Sequence, residues 1–256
     1  MRLSDLTIEP RIRAPWAAID LGESLIKHFW LRAFALYLTI ALPIFLILRT
    51  VLGADSILAI LVLWWLKPMF ERPLLHFLSM ELFGQSCGYF STLAKIRQWL
   101  FTRALHGFSI ARLTPTRGMM APVLLLENAD LRTYRQRAKV LGIGYSNTAS
   151  WHNVVMFHFE AFFYLAGLAL LSLFAPDLFA SQVYEDFTAN RSNVYIDAFT
   201  LLAMAAVAPF YVASSFMMYI SKRIELEGWD IELCFRDWVA STERHVQATG
   251  LERTDA

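Results

Sequence analysis

The sequence predicts an all-α fold, an integral membrane helical bundle of about four transmembrane helices with amphipathic helices at the interface. Three observations predict it. Hydrophobic residues make up 57% of the chain and charged residues only 18%, against roughly 45–50% and 25% in soluble domains. Four apolar runs punctuate the sequence. The 23 Lys and Arg fall almost entirely to one side of those runs.

Residues 1–32 read as a cytoplasmic N-terminal segment. Arg2, Asp5, Glu9, Arg11, Arg13, Asp20, Glu23 and Lys27 all precede the first apolar run. A cleavable signal peptide has instead a short basic region leading into roughly 7–15 apolar residues, so this segment is expected to be retained.

Residues 33–66 read as the first transmembrane hairpin. Ala33 to Leu48 holds ten Leu, Ile or Phe and no charge, which favours insertion by roughly 3–6 kcal/mol. Pro43 is tolerable inside a membrane helix. Ile57 to Leu66 is apolar for only ten residues, about 15 Å of helix rise against a core of roughly 30 Å. Asp55 and Ser56 offer side-chain acceptors for a helix start, and Gly53 suits the turn before it. Either the helix continues past Lys67 and Pro68 with Lys67 snorkelling to the surface, or the run is re-entrant or buried.

Residues 67–150 read as a basic cytoplasmic loop. Within it Pro73 to Phe83 has the pattern of an amphipathic helix stopped by Gly84, expected to lie in the interface plane. Trp99, Leu100 and Phe101 make a second apolar patch. Arg132, Arg135, Arg137 and Lys139 are candidates for contact with anionic lipid headgroups; the alternative is that they are only the topology signal of a cytoplasmic loop.

Residues 151–220 read as the second transmembrane hairpin, with runs from Val154 to Phe174 and from Ala198 to Ile220. The last run contains Pro209 and the small residues Ala203, Ala205, Ala206, Ala208, Ala213 and Ser214. Small side chains let helix backbones approach closely in lipid, so this helix is expected inside the bundle. Residues 221–256 form an amphipathic tail, with Ile220, Ile224, Ile231, Phe235 and Trp238 at helical spacing. Trp229, Asp230, Phe235 and Trp238 are its candidate partner-docking residues. The rival is that the tail packs on the chain's own Pro73 to Phe83 helix.

Five basic residues precede the first run, eleven lie from Lys67 to Ser150 and five follow Ile220, leaving Arg49 and Arg191 for the two opposite loops. Cytoplasmic loops are enriched in Lys and Arg, so both termini are expected in the cytoplasm.

Little in the sequence carries chemistry. His158 and Glu160 fall inside the third run, where an ionisable group is a functional hypothesis by default, and His152 lies nearby. Positions two apart on a helix point about 200° from each other. These two therefore cannot share a metal alone, and the other runs supply no clear His or carboxylate. The plainer alternative is that Glu160 pairs with a loop arginine or is protonated. Gly142-Ile-Gly144 lacks the third glycine of a dinucleotide loop. Cys87 and Cys234 are too far apart in sequence for a metal-ligand motif. A net charge of +1 provides no field for nucleic acid. No catalytic residue, metal or cofactor is expected.

The run Leu226-Glu-Gly-Trp-Asp-Ile-Glu-Leu233, the stretch from Arg117 to Glu127, and the His-x-Glu at His158 to Glu160 resemble those of uncharacterised multi-pass inner-membrane proteins of proteobacteria. Such proteins are encoded near MoxR-type AAA+ ATPases and a membrane protein with a transglutaminase-like domain. The resemblance covers the central loop onward. It implies a bacterial inner-membrane location and those two kinds of protein as partners, and it brings no activity. The leading expectation is a non-enzymatic subunit that scaffolds or anchors an envelope-associated assembly. The alternative is a small transporter or lipid-handling protein using Glu160 and His158.

Overall fold

The computed structural model describes residues 8–9, 11–53, 56–84, 89–94, 114–127, 129–189, 191–229 and 238. Every regular element among them is helical. In chain order these are α1 (Pro15–Lys27), α2 (Trp30–Leu52), α3 (Leu58–Leu82), α4 (Tyr89–Ala94), α5 (Arg117–Leu125), α6 (Leu131–Gly142) and α7 (Ser146–Phe174). Short turns follow at Pro176–Leu178, Phe179–Tyr184 (π-helical) and Glu185–Thr188, and then comes α8 (Val194–Glu227).

Three helices, α2, α7 and α8, are long and apolar enough to cross a membrane, with mean hydropathies of 2.2, 1.9 and 1.8. The chain is a helical-bundle membrane protein. Its centre is α8. In the most apolar stretch of that helix 83% of residues are buried, against 17% for α7. The expectation that small residues draw the last span inside the bundle holds: Ala203, Ala205, Ala208, Ala213 and Ser214 are all buried. By contrast α7 turns Phe157, Phe159, Phe162, Phe163, Leu165 and Leu173 outward, the composition of a lipid-facing surface.

The helix α1 is not apparent from the apolar pattern. Its buried face, Ala18, Ile19, Gly22 and Ile26, packs against α8. Gly22 is what allows the approach, because a Cβ there would sit 2.6 Å from the Ser214 Cα. The charged side chains of residues 1–32 thus ride on a helix docked to the bundle.

A short connection joins α2 to α3, with Gly53 at φ 95° and the Ser56 hydroxyl accepting from the Leu58 amide at 3.2 Å. From there the structure departs from expectation. A single helix of 25 residues runs from Leu58 through Lys67, Pro68 and Pro73 to Leu82, a rise of about 37 Å. The segment Pro73 to Phe83 is not a separate interfacial helix. It is the second half of α3, and every residue from Lys67 to Ser79 but Pro68 is buried, because α2, α5 and α8 all pack on it. Nor does Lys67 snorkel: it is 6% exposed. The helical hairpin therefore ends near Leu82 and not at Leu66. Prolines are tolerated inside membrane helices where neighbouring elements re-satisfy the freed carbonyls.

Polar contacts fasten both ends of the bundle. At one end, Arg49 near the end of α2 pairs with Asp197 in the first turn of α8, and Ser192 donates to the same carboxylate at 2.6 Å. Asn193 caps α8 by accepting from the Tyr195 amide at 2.9 Å. Toward the other end, Tyr145 donates to the Arg13 carbonyl at 2.8 Å, tying the start of α7 to the segment before α1. There α8 stops at Gly228, whose φ of 65° is the left-handed helix ending that glycine adopts without strain.

Candidate functional site

The strongest concentration of chemistry lies where α3, α5, α7 and α8 meet. Lys67 of α3 donates to Glu160 of α7. One turn on from Lys67, Glu71 lies 3.9 Å from its ammonium. Glu71 also accepts both forks of the Arg117 guanidinium, at 2.9 and 3.4 Å. Arg117 opens α5, so this short helix supplies a cation from outside the spanning helices. Tyr211 of α8 floors the cluster, with the Arg117 guanidinium 5.0 Å and the Lys67 ammonium 5.9 Å from its ring centroid. A Cβ on Gly118 would fall 2.6 Å from the Tyr211 hydroxyl, so the glycine lets α5 seat Arg117 against that ring. Two cations and two carboxylates make a cluster of zero formal charge.

Beside it is a cavity of about 270 Å³, lined by Trp64, Lys67, Arg117, Asn153, Val154, Met156, Phe157, Glu160 and Tyr211. Its rim is informative. Val154 and Phe157 are 41% and 55% exposed and belong to the apolar outer face of α7. The cleft therefore opens sideways, toward the surface that lipid would cover. Asn153 and Glu160 are seven residues apart, so the α7 wall of the cleft rises about 10 Å from the edge of the apolar run toward the bilayer interior.

The residues expected to carry chemistry divide on this geometry. Glu160 is central to the cluster, held by an ammonium from a neighbouring helix and not by a loop arginine. His158 is not part of it. It is exposed on the other side of α7, with Nδ1 2.8 Å from the Val154 carbonyl, as a two-residue separation requires. His152 is buried and stacks on Tyr211, with centroids 5.7 Å apart and planes 5° from parallel. Neither of its ring nitrogens has a hydrogen-bond partner among the described residues. Among those residues no group of three or more His, Cys, Asp or Glu side chains is placed to hold a metal. The sequence reading missed Lys67, Glu71, Arg117 and Tyr211; the one local signal was the Lys67–Glu71 spacing of four, which puts them on one helix face.

The basic residues of α6 also divide. Arg132, Arg135 and Lys139 are exposed, as contact with headgroups would require. Arg137 is turned inward. It donates to both Glu127 oxygens at 2.9 and 2.8 Å and to Glu227 at 3.2 Å. Its hydrogen bonds to Glu127 raise its affinity for its proton above the ordinary arginine value. Tyr219 donates to Glu127 at 2.7 Å, and Arg223 donates to Glu227 at 3.0 and 2.7 Å. Burial alone would raise the Glu127 carboxyl. The hydrogen bonds from Arg137 and Tyr219, with the charges of Arg137 and Arg223, outweigh that and hold it below its ordinary 4.5.

Of the docking candidates, Trp229 is only 8% exposed. Its indole donates to Glu227 at 3.0 Å, and the Arg223 guanidinium sits 4.8 Å from its ring centroid. The turn at Gly228 folds it back into the chain, so Trp229 is part of this protein's own packing and not a free anchor. Trp238 is exposed, while Asp230 and Phe235 lie outside the described residues.

Compared with known proteins, the chain matches no family model, no curated protein and no solved structure.

Proposed function

We propose that this is a lipid-handling membrane protein that takes the polar headgroup of an amphiphile into the cleft between α3 and α7 while the acyl chains stay in the bilayer. The observation that supports it most is the lateral opening: a charged floor of Lys67, Arg117 and Glu160 reached past Val154 and Phe157 on the lipid-facing side. Ionisable groups at membrane depth are costly, and they mark substrate or ion pathways. A headgroup-sized cavity beside them supplies a reason for them. In this reading the membrane is a bacterial inner membrane and both ends of the chain are cytoplasmic, which the distribution of Lys and Arg supports. The cleft then belongs to the inner leaflet, because Asn153 marks its mouth on the Ser146 side of α7.

A second reading is an anchoring subunit whose partners include an AAA+ ATPase or a transglutaminase-like membrane protein. The exposed Trp238 favours it. Burial of Trp229 within the chain removes the central anchor on which that reading relied.

Native mass spectrometry of the protein released from its own membranes in mild detergent separates them. Wild type is expected to retain about one phospholipid per chain. Asn153→Trp, which fills the cleft mouth, is expected to lose it with an unchanged melting temperature. Retention by both proteins, or by neither, defeats the lipid reading, and a stoichiometric protein partner without bound lipid carries the anchoring one.

A further inference from the structure

We infer that the headgroup this cleft selects is zwitterionic, carrying a phosphate and an ammonium; the inference rests on the lipid-handling reading above. The argument begins with charge. Lys67, Arg117, Glu71 and Glu160 sum to zero, and all four are paired among themselves. In a medium of low dielectric, a ligand with net charge leaves that charge without a partner, a cost of several kcal/mol. A ligand that is neutral overall but split into two charges avoids it.

Spare hydrogen-bonding capacity supports the same conclusion. An ammonium has three N–H donors and a guanidinium five. Lys67 spends one on Glu160, and Arg117 spends two on Glu71. The remaining donors belong to side chains that line the cavity, and they suit phosphate oxygens. Glu160 accepts from Lys67 through Oε1 alone, and its Oε2 makes no hydrogen bond among the described residues. That oxygen suits an ammonium. Trp64, Phe157 and Tyr211 line the same space, and aromatic faces attract cations. Phosphate and ammonium can therefore be received together without breaking an internal pair. A volume of about 270 Å³ equals about nine waters at ~30 Å³ each, room for a headgroup but not for acyl chains.

The test presents purified wild type in detergent with equimolar phosphatidylethanolamine, phosphatidylcholine and phosphatidylglycerol of identical chains, and reads bound lipid by native mass spectrometry. Wild type is expected to hold one or both zwitterionic lipids at least tenfold over phosphatidylglycerol. Glu160→Gln, which leaves the cluster net positive, is expected to reverse that preference. Equal binding of all three lipids, a preference for phosphatidylglycerol, or unchanged selectivity in the Gln variant overturns the inference while leaving headgroup binding intact. Loss of all lipid binding overturns the headgroup reading itself. If the Gln variant does not insert, the wild-type ratio decides alone. In a further arm, soluble glycerophosphoethanolamine that raises the melting temperature as much as the lipid does would move the ligand from bilayer to solution and overturn the lipid assignment.

Discussion

Lys67 of α3 and Glu160 of α7 are hydrogen-bonded to one another although 93 residues separate them. Both are buried, and each is the other's closest charged partner. This pair fixes the relation between the helical hairpin α2–α3 and the lipid-facing α7.

Removing one partner of a buried pair costs roughly 3–5 kcal/mol because the other is stranded. Lys67→Met strands Glu160 and is expected to cost that much. Glu160→Gln is expected to cost less, because Lys67 keeps Glu71 3.9 Å away, and Glu160→Lys should block folding. The double variant Lys67→Met with Glu160→Gln should recover most of the Met variant's loss. A double-mutant cycle of thermal melts in detergent checks it; additive costs would mean that the two side chains do not interact.

The Arg49–Asp197 pair should show a comparable asymmetry. Asp197 is 1% exposed, so Arg49→Met leaves its carboxylate with Ser192 as its remaining hydrogen-bond donor. We expect a loss of about 3 kcal/mol and a smaller one for Asp197→Asn, which can still accept from Ser192. Melting temperatures of the two variants give the order.

Acid should loosen the opposite end. Glu127 titrates below 4.5 in the folded chain, so the folded state holds this group's proton more weakly than the unfolded state does. Its contribution is fully present above pH 4.5 and is lost as pH falls through 4.5 and then through the lower folded value. Glu127→Gln should therefore melt at a lower temperature than wild type near pH 7, and the gap should narrow below pH 4. A gap that stays constant with pH would contradict this account.

Gly22→Val places side-chain atoms against the Ser214 backbone, where a Cβ alone would meet Cα at 2.6 Å. Backbone cannot give way as a side chain can, so the loss should reach or exceed the roughly 1–3 kcal/mol usual for overpacking. Protease cleavage between α1 and α2 should become faster in the variant. An undisturbed digestion pattern would show that α1 is not docked on α8.

Orientation is checked by labelling. With Cys87 and Cys234 replaced, a cysteine at Thr188 should react with an impermeant thiol reagent in intact spheroplasts, and one at Arg132 should react only after lysis. Labelling of the Arg132 position in intact spheroplasts would invert the proposed topology.

How much of this was legible depended on whether a residue's role is set locally. The runs that became α2, α7 and α8 were readable because hydrophobicity over a helix length decides membrane crossing, and the small residues of α8 announced its central place. Lys67 was misread as a boundary because a charge after ten apolar residues looks like one; what keeps it inside is Glu160, and no local pattern encodes a partner 93 residues away. Pro68 and Pro73 read as breaks for the same reason, since the neighbours that tolerate them come from α2, α5 and α8. Glu160 was found because a carboxylate in an apolar run is conspicuous by itself. Trp229 was taken for a docking anchor since spacing alone does not show the chain turning back at Gly228.

The central position of α8 also sets an order of events during synthesis. The earliest described helix, α1, has its buried face covered by the latest one. A ribosome making this chain releases α1, α2, α3 and α7 toward the membrane well before the helix that organises them exists. Until Val194–Glu227 emerges, Gly22 has no Ser214 to rest on, Arg49 no Asp197, and Arg117 no ring of Tyr211. Chains interrupted before that point would hold inserted helices without a hub, recognisable to membrane proteases as unfinished, so the bundle should close in one late step and not grow helix by helix.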